Sequence, residues 1–198
     1  MSRPVRDKQK EETHRRLYLA ALEVFERDGV DNCRIDDITQ KAEVSRAAFY
    51  FHFPTKDHVL IELLRASERP VEKAIVDLPT TTPIEQVLEA SANAMAEFWV
   101  SRPALLPEVA TVGMRLAAVS RDRDNEPVRA AMTTHFRAAW ERGELSQMLP
   151  PEVLADFFLM NALAAMVAWS GNQQLPLTMV LGGVAQLFLQ GAGVRRTP

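Results

Sequence analysis

The chain contains 198 residues, 47% of them hydrophobic, and carries a formal net charge of -3. This composition is typical of a globular protein and excludes a disordered chain. The small negative charge argues against a protein that coats nucleic acid or a membrane with its whole surface, so any site for a polyanion must be local. The single cysteine excludes an internal disulfide and the four scattered histidines offer no zinc-ligand spacing, which predicts a cytoplasmic protein without a metal or other cofactor.

Apolar residues recur at helical spacing nearly throughout the chain, while alternating strand-like runs are absent. The sequence therefore predicts an all-α protein of about nine helices. Residues 1–16 form a basic arm with six positive and three negative side chains. The first helix is expected from about Glu11 to Asp28, and Gly29 is placed to end it in the left-handed conformation.

Two short helices follow, separated by a tight turn. The first of them is expected from about Ile35 to Ala42. The hydroxyl of Ser45 can accept a backbone N–H from the next turn, so the second short helix should begin at Arg46. Pro54 disfavours a helical conformation at the residue before it and ends this helix within about two turns. Two short helices backed by a longer one are the pattern of a helix-turn-helix, whose second helix enters the major groove of DNA.

The residues of this second short helix suit contact with DNA. Arg46 lies in the first turn, where it can bond guanine with two N–H groups, and the small side chains of Ala47 and Ala48 allow the backbone to approach the bases. Phosphate contacts are expected from three hydrogen-bond donors: Tyr50, His52 and Lys56.

The aromatic residues of the segment are expected to divide between core and surface. Phe49 and Phe53 should anchor the helix on the core, whereas Phe51 has no role that the sequence explains. A plain helical hairpin, with all its aromatic side chains buried, is the alternative interpretation.

The segments AEVS at residues 42–45 and AFYFHFPTKDHVL at residues 48–60 carry a family resemblance. Residues 14–62 resemble the DNA-binding domain of the TetR family of bacterial transcriptional regulators, in which a turn of the type A-G-V-S precedes a T-F-Y-x-H-F-x-x-K-x-x-L segment. Here Glu43 replaces the turn glycine, Arg34 replaces the usual threonine cap of the second helix, and Ala48 replaces the threonine before the F-Y pair. If residue 43 adopts the left-handed conformation, the steric strain of its side chain lowers the folding stability by about 1 kcal/mol.

The resemblance implies a helix-turn-helix DNA-binding domain with its basic arm at residues 1–60 and a helical effector-binding and dimerisation domain at residues 61–198. Arg34 cannot cap a helix but could contact phosphate. The residues expected to contact double-stranded DNA are Arg34, Thr39, Ser45, Arg46, Ala47, Ala48, Tyr50, His52 and Lys56.

The later helices are marked by caps and prolines. Thr55 can cap a fourth helix, which Pro70 should kink or interrupt. The run Thr82-Pro83-Ile84-Glu85 has the form of a capping box with proline at the first helical position. Further helices are expected to start at Pro103 and Pro127 and to span about Pro151 to Ser170 and Pro176 to Gln190.

The last two helices are more apolar than burial on one side requires, which predicts a homodimer interface. Two copies related by a twofold axis would read a palindrome, whereas one short helix contacts few base pairs. Burial within the monomer is the alternative. The expected interface residues are Val153, Phe157, Met160, Ala164, Val167, Val180, Val184, Leu187 and Phe188. Asp156 and Asn161 interrupt this apolar region, so we predict no transmembrane helix and no export.

The middle helices carry methionine and aromatic side chains that could line a ligand pocket, although ordinary core packing explains the same residues. The candidate ligand-binding residues are Met95, Phe98, Trp99, Met114, Arg115, Met132, Phe136, Trp140 and Asn161. The polar groups that could orient a ligand are Asn93, Glu97, Arg115, His135 and Asn161, and the sequence favours none of them over the others.

The family resemblance implies a dimeric repressor that a small apolar or amphipathic ligand releases from a palindromic operator. The ligand would favour a dimer whose recognition helices are wrongly spaced for DNA. A constitutive DNA-binding regulator without an effector stays open as an alternative. An all-α enzyme or carrier is disfavoured because the sequence has no recognisable nucleophile setting and no glycine-rich phosphate loop.

Overall fold

The computed structural model describes residues 3–119 and 126–192. Over these residues it contains nine α-helices, one short 3-10 helix and no β-strand, which confirms the all-α prediction. The chain divides into two compact units, residues 1–63 and 64–198. The helices are α1 (Arg3–Asp28), α2 (Ile35–Lys41), α3 (Arg46–His52), α4 (Lys56–Val76), α5 (Ile84–Trp99), α6 (Leu106–Val119, preceded by the 3-10 helix Pro103–Leu105), α7 (Pro127–Glu141), α8 (Pro151–Gly171) and α9 (Leu177–Ala192).

Helix α1 begins at Arg3, well before the predicted start at Glu11, so the predicted basic arm forms the first turns of this helix from Arg3 onward. Pro4 is compatible with this start because the first N–H groups of a helix have no partner within it. The predicted end is confirmed: Gly29 has a φ of 79° and donates its N–H to the carbonyl oxygen of Phe25 at 2.9 Å.

The first unit is built on α1, which packs against α2, and α2 in turn packs against α3. All four helices that enter this unit contribute buried apolar side chains, which join α3 to a common core. These side chains are Leu17, Ala21, Val24, Phe25, Ile38, Phe49, Val59 and Leu60.

The turn between α2 and α3 contains a strained residue. Glu43 has a φ of 53°, in the left-handed region that the resemblance implied for a glycine. The N–H of Glu43 donates to the carbonyl of Gln40 at 3.1 Å, and the N–H of Val44 donates to that of Thr39 at 3.0 Å. These bonds fix the turn, and the left-handed conformation is costly for a residue with a Cβ atom.

Replacing Glu43 with glycine is expected to stabilise the protein by about 1 kcal/mol, because glycine adopts this conformation without strain. Urea denaturation would measure the change. Gln40→Gly, inside α2, is the matched control and should destabilise by a similar amount. A Glu43→Gly protein that is less stable than the wild type would show that the turn is not strained.

Helix α4 begins directly after Thr55, but the hydroxyl of Thr55 bonds Nδ1 of His58 at 2.9 Å instead of capping a backbone N–H. The helix runs through Pro70 to Val76, so Pro70 does not interrupt it, and the predicted kink stays a prediction. A proline inside a helix costs about 3 kcal/mol because it removes a hydrogen bond and crowds the preceding turn. Buried side chains on either side of Pro70, including those of Val71 and Ile75, offset this cost by packing in the core.

The second unit is a bundle in which α9 packs against α5 and α8, and α7 packs against α5 and α8. Three phenylalanines from α7, α8 and α9 meet in its interior. The ring of Phe188 lies 5.8 Å from that of Phe136 and 5.7 Å from that of Phe158, centroid to centroid. This cluster joins the two C-terminal helices to the rest of the unit.

The start of α5 differs from the predicted capping box. The helix begins at Ile84, after Pro83, and no side chain of the Thr82–Glu85 run caps it. The N–H of Ile84 donates instead to Oε2 of Glu144 at 2.9 Å. Arg142 holds that carboxylate, with Nε 2.7 Å from Oε1 of Glu144, and lowers the pKa of Glu144. The cap is therefore supplied from beyond the end of α7.

Candidate nucleic-acid interface

Helix α3 has one buried side and one exposed side. The hydroxyl of Ser45 accepts the backbone N–H of Ala48 at 3.1 Å, which confirms that Ser45 caps this helix. The side chains of Phe49 and Phe53 are 0% and 2% exposed and hold the helix on the core. Arg46, Ala47 and Tyr50 are exposed, and Ala48 is half-buried. A short helix anchored in this way can present its outer side to a groove.

Arg46 is held by two neighbours. Its Nη1 donates to Oδ1 of Asp36, on α2, at 2.7 Å. Its Nη2 lies 3.5 Å from the hydroxyl of Tyr50, and the guanidinium carbon lies 5.8 Å from the centroid of the Tyr50 ring. The hydrogen bond to Asp36 raises the pKa of Arg46. The predicted base-reading residue is thus exposed and charged, and its direction is fixed by a carboxylate from the neighbouring helix.

The two predicted contacts on α2 differ in their exposure. Arg34 precedes α2, is exposed, and makes no side-chain cap, as the sequence predicted. Thr39 is 6% exposed, and its hydroxyl donates to the carbonyl of Asp36 at 3.1 Å. The side chain of Thr39 is therefore part of the core and presents little surface for the DNA contact that the sequence predicts.

Lys56 was expected to contact phosphate, but its ammonium group donates to main-chain carbonyls of the α1–α2 connection. The acceptors are the oxygens of Val30, of Asp31 at 3.3 Å and of Cys33 at 3.1 Å. These bonds use the three donors of the ammonium group. We therefore correct the role of Lys56 from phosphate contact to support of this connection.

His52 lies in a cluster with α1 and α4. Its ring centroid is 5.4 Å from that of His14, which stacks on Phe53 at 4.6 Å. Nε2 of His14 bonds Oε2 of Glu62 at 2.8 Å. Burial lowers the pKa of His52, and nearby His14 and Lys10 lower it further. These neighbours therefore disfavour the charged form of His52 in the DNA-free protein.

Phe51, which the sequence left without a role, is 70% exposed. The ammonium group of Lys10, on α1, lies 5.3 Å from the centroid of the Phe51 ring. This contact brings a basic residue of α1 beside the C-terminal end of α3. Sequence reasoning missed Asp36, Lys10 and His14 because their partners lie on other helices.

The candidate ligand-binding residues in the second unit do not share one environment. Met114, Arg115 and Asn161 are exposed, so they do not line an enclosed cavity within this chain. The amide of Asn161 donates to the carbonyl of Phe157 on the same helix at 2.7 Å. Phe98 and Trp140 are half-buried, and the buried candidates are Met95, Trp99, Met132 and Phe136.

Helix α7 carries three buried polar atoms that have no hydrogen-bond partner among the described residues: Oγ1 of Thr133, Nδ1 of His135 and Nε1 of Trp140. Nε2 of His135 lies 3.0 Å from the carbonyl oxygen of Ile75. A carbonyl only accepts, so Nε2 carries a hydrogen. Unpartnered buried polar atoms are rare in native proteins and are places where a ligand or water can bind.

The predicted interface residues on α8 and α9 are mostly accessible. Val153, Val167, Val180 and Val184 are half-buried, and Ala164 is exposed. The largest exposed side chains among them are Phe157, Met160 and Leu187, which are 51%, 54% and 70% exposed. Phe188 is also half-buried, and its ring packs on Phe136 and Phe158 of its own chain.

Comparison with known proteins places the helix-turn-helix in a family. Residues 17–63 match the family model described as bacterial regulatory proteins, tetR family. The HTH-type transcriptional regulator SrpR of Pseudomonas putida is 40% identical to this chain over 87 residues, 44% of this chain and 39% of SrpR. The uncharacterised HTH-type transcriptional regulator TtgW, also of Pseudomonas putida, is 40% identical over 86 residues, 43% of this chain and 62% of TtgW. The chain thus spans less than two thirds of the length of either relative.

The fold also has solved relatives. FadR of Thermus thermophilus, a TetR-family transcriptional repressor solved in complex with lauroyl-CoA, has a TM-score of 0.64 and 22% identity, covering 93% of this chain and 97% of FadR. This likeness concerns the fold alone. The family model, by contrast, lies on the same residues that form the capped and anchored α3. Residues 17–63 are therefore similar to the DNA-binding domain of the TetR family of bacterial transcriptional regulators.

Proposed function

We propose that the protein is a homodimeric repressor that reads a palindromic operator with α3 and is released by a small apolar or amphipathic ligand. Residues 1–63 form the DNA-binding domain, and residues 64–198 dimerise and bind the ligand. Such a regulator acts in the cytoplasm, on the bacterial chromosome. The observation that carries the proposal is the outer side of α3, where Arg46, Ala47 and Tyr50 face solvent above the buried Phe49.

This side of α3 suits the major groove. Alanine at position 47 lets the backbone approach the bases, and Arg46 can donate two N–H groups to one guanine. Tyr50 can position the helix by donating to a phosphate. Arg34, exposed ahead of α2, supplies a further cation for the DNA backbone.

Dimerisation is supported by the outer surface of α8 and α9. Helix α8 is long and apolar enough to cross a membrane. Only 33% of its apolar 18-residue stretch is buried within the chain, so most of that stretch is accessible. In the described residues it packs against α6, α7 and α9. A second copy that covers Phe157, Met160 and Leu187 explains this apolar surface without a membrane.

Ligand binding is supported by the unpartnered polar atoms of α7. Nδ1 of His135 and Nε1 of Trp140 are buried and have no hydrogen-bond partner among the described residues. A mainly apolar ligand with a few polar groups would satisfy atoms of this kind. The lauroyl-CoA bound by FadR is a ligand of that class in a protein of the same fold.

Thr133→Val is expected to stabilise the ligand-free protein by about 1 kcal/mol, because it replaces an unpartnered buried hydroxyl with a methyl group of similar shape. Urea denaturation would test this. Thr134→Val is the matched control: Thr134 is exposed and its hydroxyl donates to the carbonyl of Ala130 at 3.0 Å, so no gain is expected. A loss of stability in Thr133→Val would show that the hydroxyl is used within the protein.

The proposal as a whole is tested by selecting binding sites for the purified protein from randomised duplex DNA. Enrichment of a sequence with twofold symmetry is expected. The selected duplex then provides the probe for a screen in which effectors are detected by release of the protein. A constitutive regulator would bind the same duplex and respond to no compound.

A further inference from the structure

The contact between Arg46 and Asp36 has a consequence for base recognition. The two side chains are 57% and 68% exposed, and their atoms lie 2.7 Å apart. Ion pairs in such exposed positions contribute little to folding stability. The pair does, however, join the first turn of α2 to the first turn of α3, at the residue placed to read a base.

We propose that Asp36 is a positioning residue that aims the guanidinium group of Arg46 and thereby sets the base specificity of the regulator. The proposal rests on the proposed reading of DNA by α3. It assigns a role to a residue of α2 that would itself donate nothing to the DNA.

The geometry supports this role because Asp36 uses only part of the guanidinium group. Arginine has five N–H donors in a planar fork. Asp36 engages Nη1, and Tyr50 lies against Nη2 and the face of the group. Each terminal nitrogen keeps a second N–H, and guanine offers O6 and N7 as acceptors for two N–H groups. Arg46 is thus oriented before DNA arrives, and less side-chain entropy is lost on binding.

The charge of Asp36 also acts against wrong contacts. A carboxylate beside the DNA repels phosphates and weakens binding to every sequence. Without Asp36, Arg46 could turn to a phosphate, which carries no sequence information. Asp36 therefore lowers the affinity for every duplex and raises the discrimination at the base that Arg46 reads.

The test compares Asp36→Asn with Asp37→Asn. Asp37 lies in the same first turn of α2, so the control removes the same charge, and no contact with Arg46 is found for it among the described residues. Affinities are measured for the selected operator and for a duplex in which the guanine read by Arg46 is replaced. Arg46→Ala identifies that guanine as the position where preference is lost.

For Asp36→Asn the ratio of the two affinities is expected to fall by about tenfold, while Asp37→Asn leaves the ratio unchanged. Both variants should bind random duplexes more tightly, since each removes one negative charge. In the Arg46→Ala background, Asp36→Asn should leave the ratio unchanged.

Three results would overturn the proposal. An unchanged affinity ratio in Asp36→Asn would show that Asp36 only repels DNA and does not position Arg46. A raised ratio would make it a competitor of DNA for Arg46. A change that persists in the Arg46→Ala background would show that it acts independently of Arg46. Failure of the wild type to enrich any site would instead refute the proposed function, and this inference with it.

Discussion

Leu187→Glu is expected to separate the dimer and to remove high-affinity binding to the operator. Leu187 is 70% exposed in the single chain, on a helix that packs against α8. Burial of a leucine side chain contributes about 1.5 to 3 kcal/mol, and a symmetric dimer loses this contribution twice. Two buried carboxylates would add a desolvation cost. The dimer dissociation constant should therefore rise at least about 100-fold.

Sedimentation velocity over a range of protein concentrations would measure this change, and fluorescence anisotropy would follow operator binding. Met148→Glu is the matched control: Met148 is 88% exposed in the connection between α7 and α8 and is not among the predicted interface residues. It should remain dimeric and bind DNA normally. A Leu187→Glu protein that stays dimeric would contradict the proposed interface.

Phe49→Ala is expected to destabilise the first unit by about 3 to 5 kcal/mol, because it leaves a cavity beneath α3. Phe49 is 0% exposed. A small domain has little stability to spare, so α3 should lose its support and the operator should no longer be bound. Hydrogen exchange of the backbone amides in α2 and α3 would report the loss.

Phe51→Ala is the matched control, two residues further along the same helix. Phe51 is 70% exposed, so its removal should change stability by no more than about 0.5 kcal/mol. Equal loss of amide protection in the two variants would mean that α3 is not anchored through Phe49. The pair therefore separates the supporting side of α3 from its outer side.

Local signals in the sequence predicted the elements that carry the interface. Ser45, Pro54 and Gly29 act on residues within one helical turn, so their effects on the ends of α1 and α3 follow from chain chemistry alone. The strain at Glu43 was expected from the family pattern and is present in the structure. Apolar spacing gave the buried side of α3, including Phe49.

Contacts between distant residues could not be predicted in this way. Glu144 caps α5 across 60 residues, and Lys56 reaches the carbonyl of Val30 across 26 residues. Asp36 meets Arg46 only because the turn folds α2 against α3. Residue type alone also did not predict the burial of the Thr39 side chain. Nor did it predict that α4 continues through Pro70, where packing outweighs the cost of the proline.

The candidate ligand and interface residues were predicted less well, because apolar helices look alike whether they face a core, a pocket or a partner. Met114 and Met132 illustrate this: both are methionines on apolar helices, yet one is 49% exposed and the other 0%. Phe188 was expected at the dimer interface and lies in the aromatic cluster of its own chain. Only the packing of complete helices distinguishes these cases.

In the proposed dimer, two copies of α3 read successive major grooves on one face of the DNA. This arrangement is tested by inserting five base pairs, about half a helical turn, between the half-sites of the selected operator. The affinity is expected to fall to that of a random duplex, because the second half-site moves to the opposite face. An affinity that does not change on insertion would contradict the dimeric reading of DNA by α3.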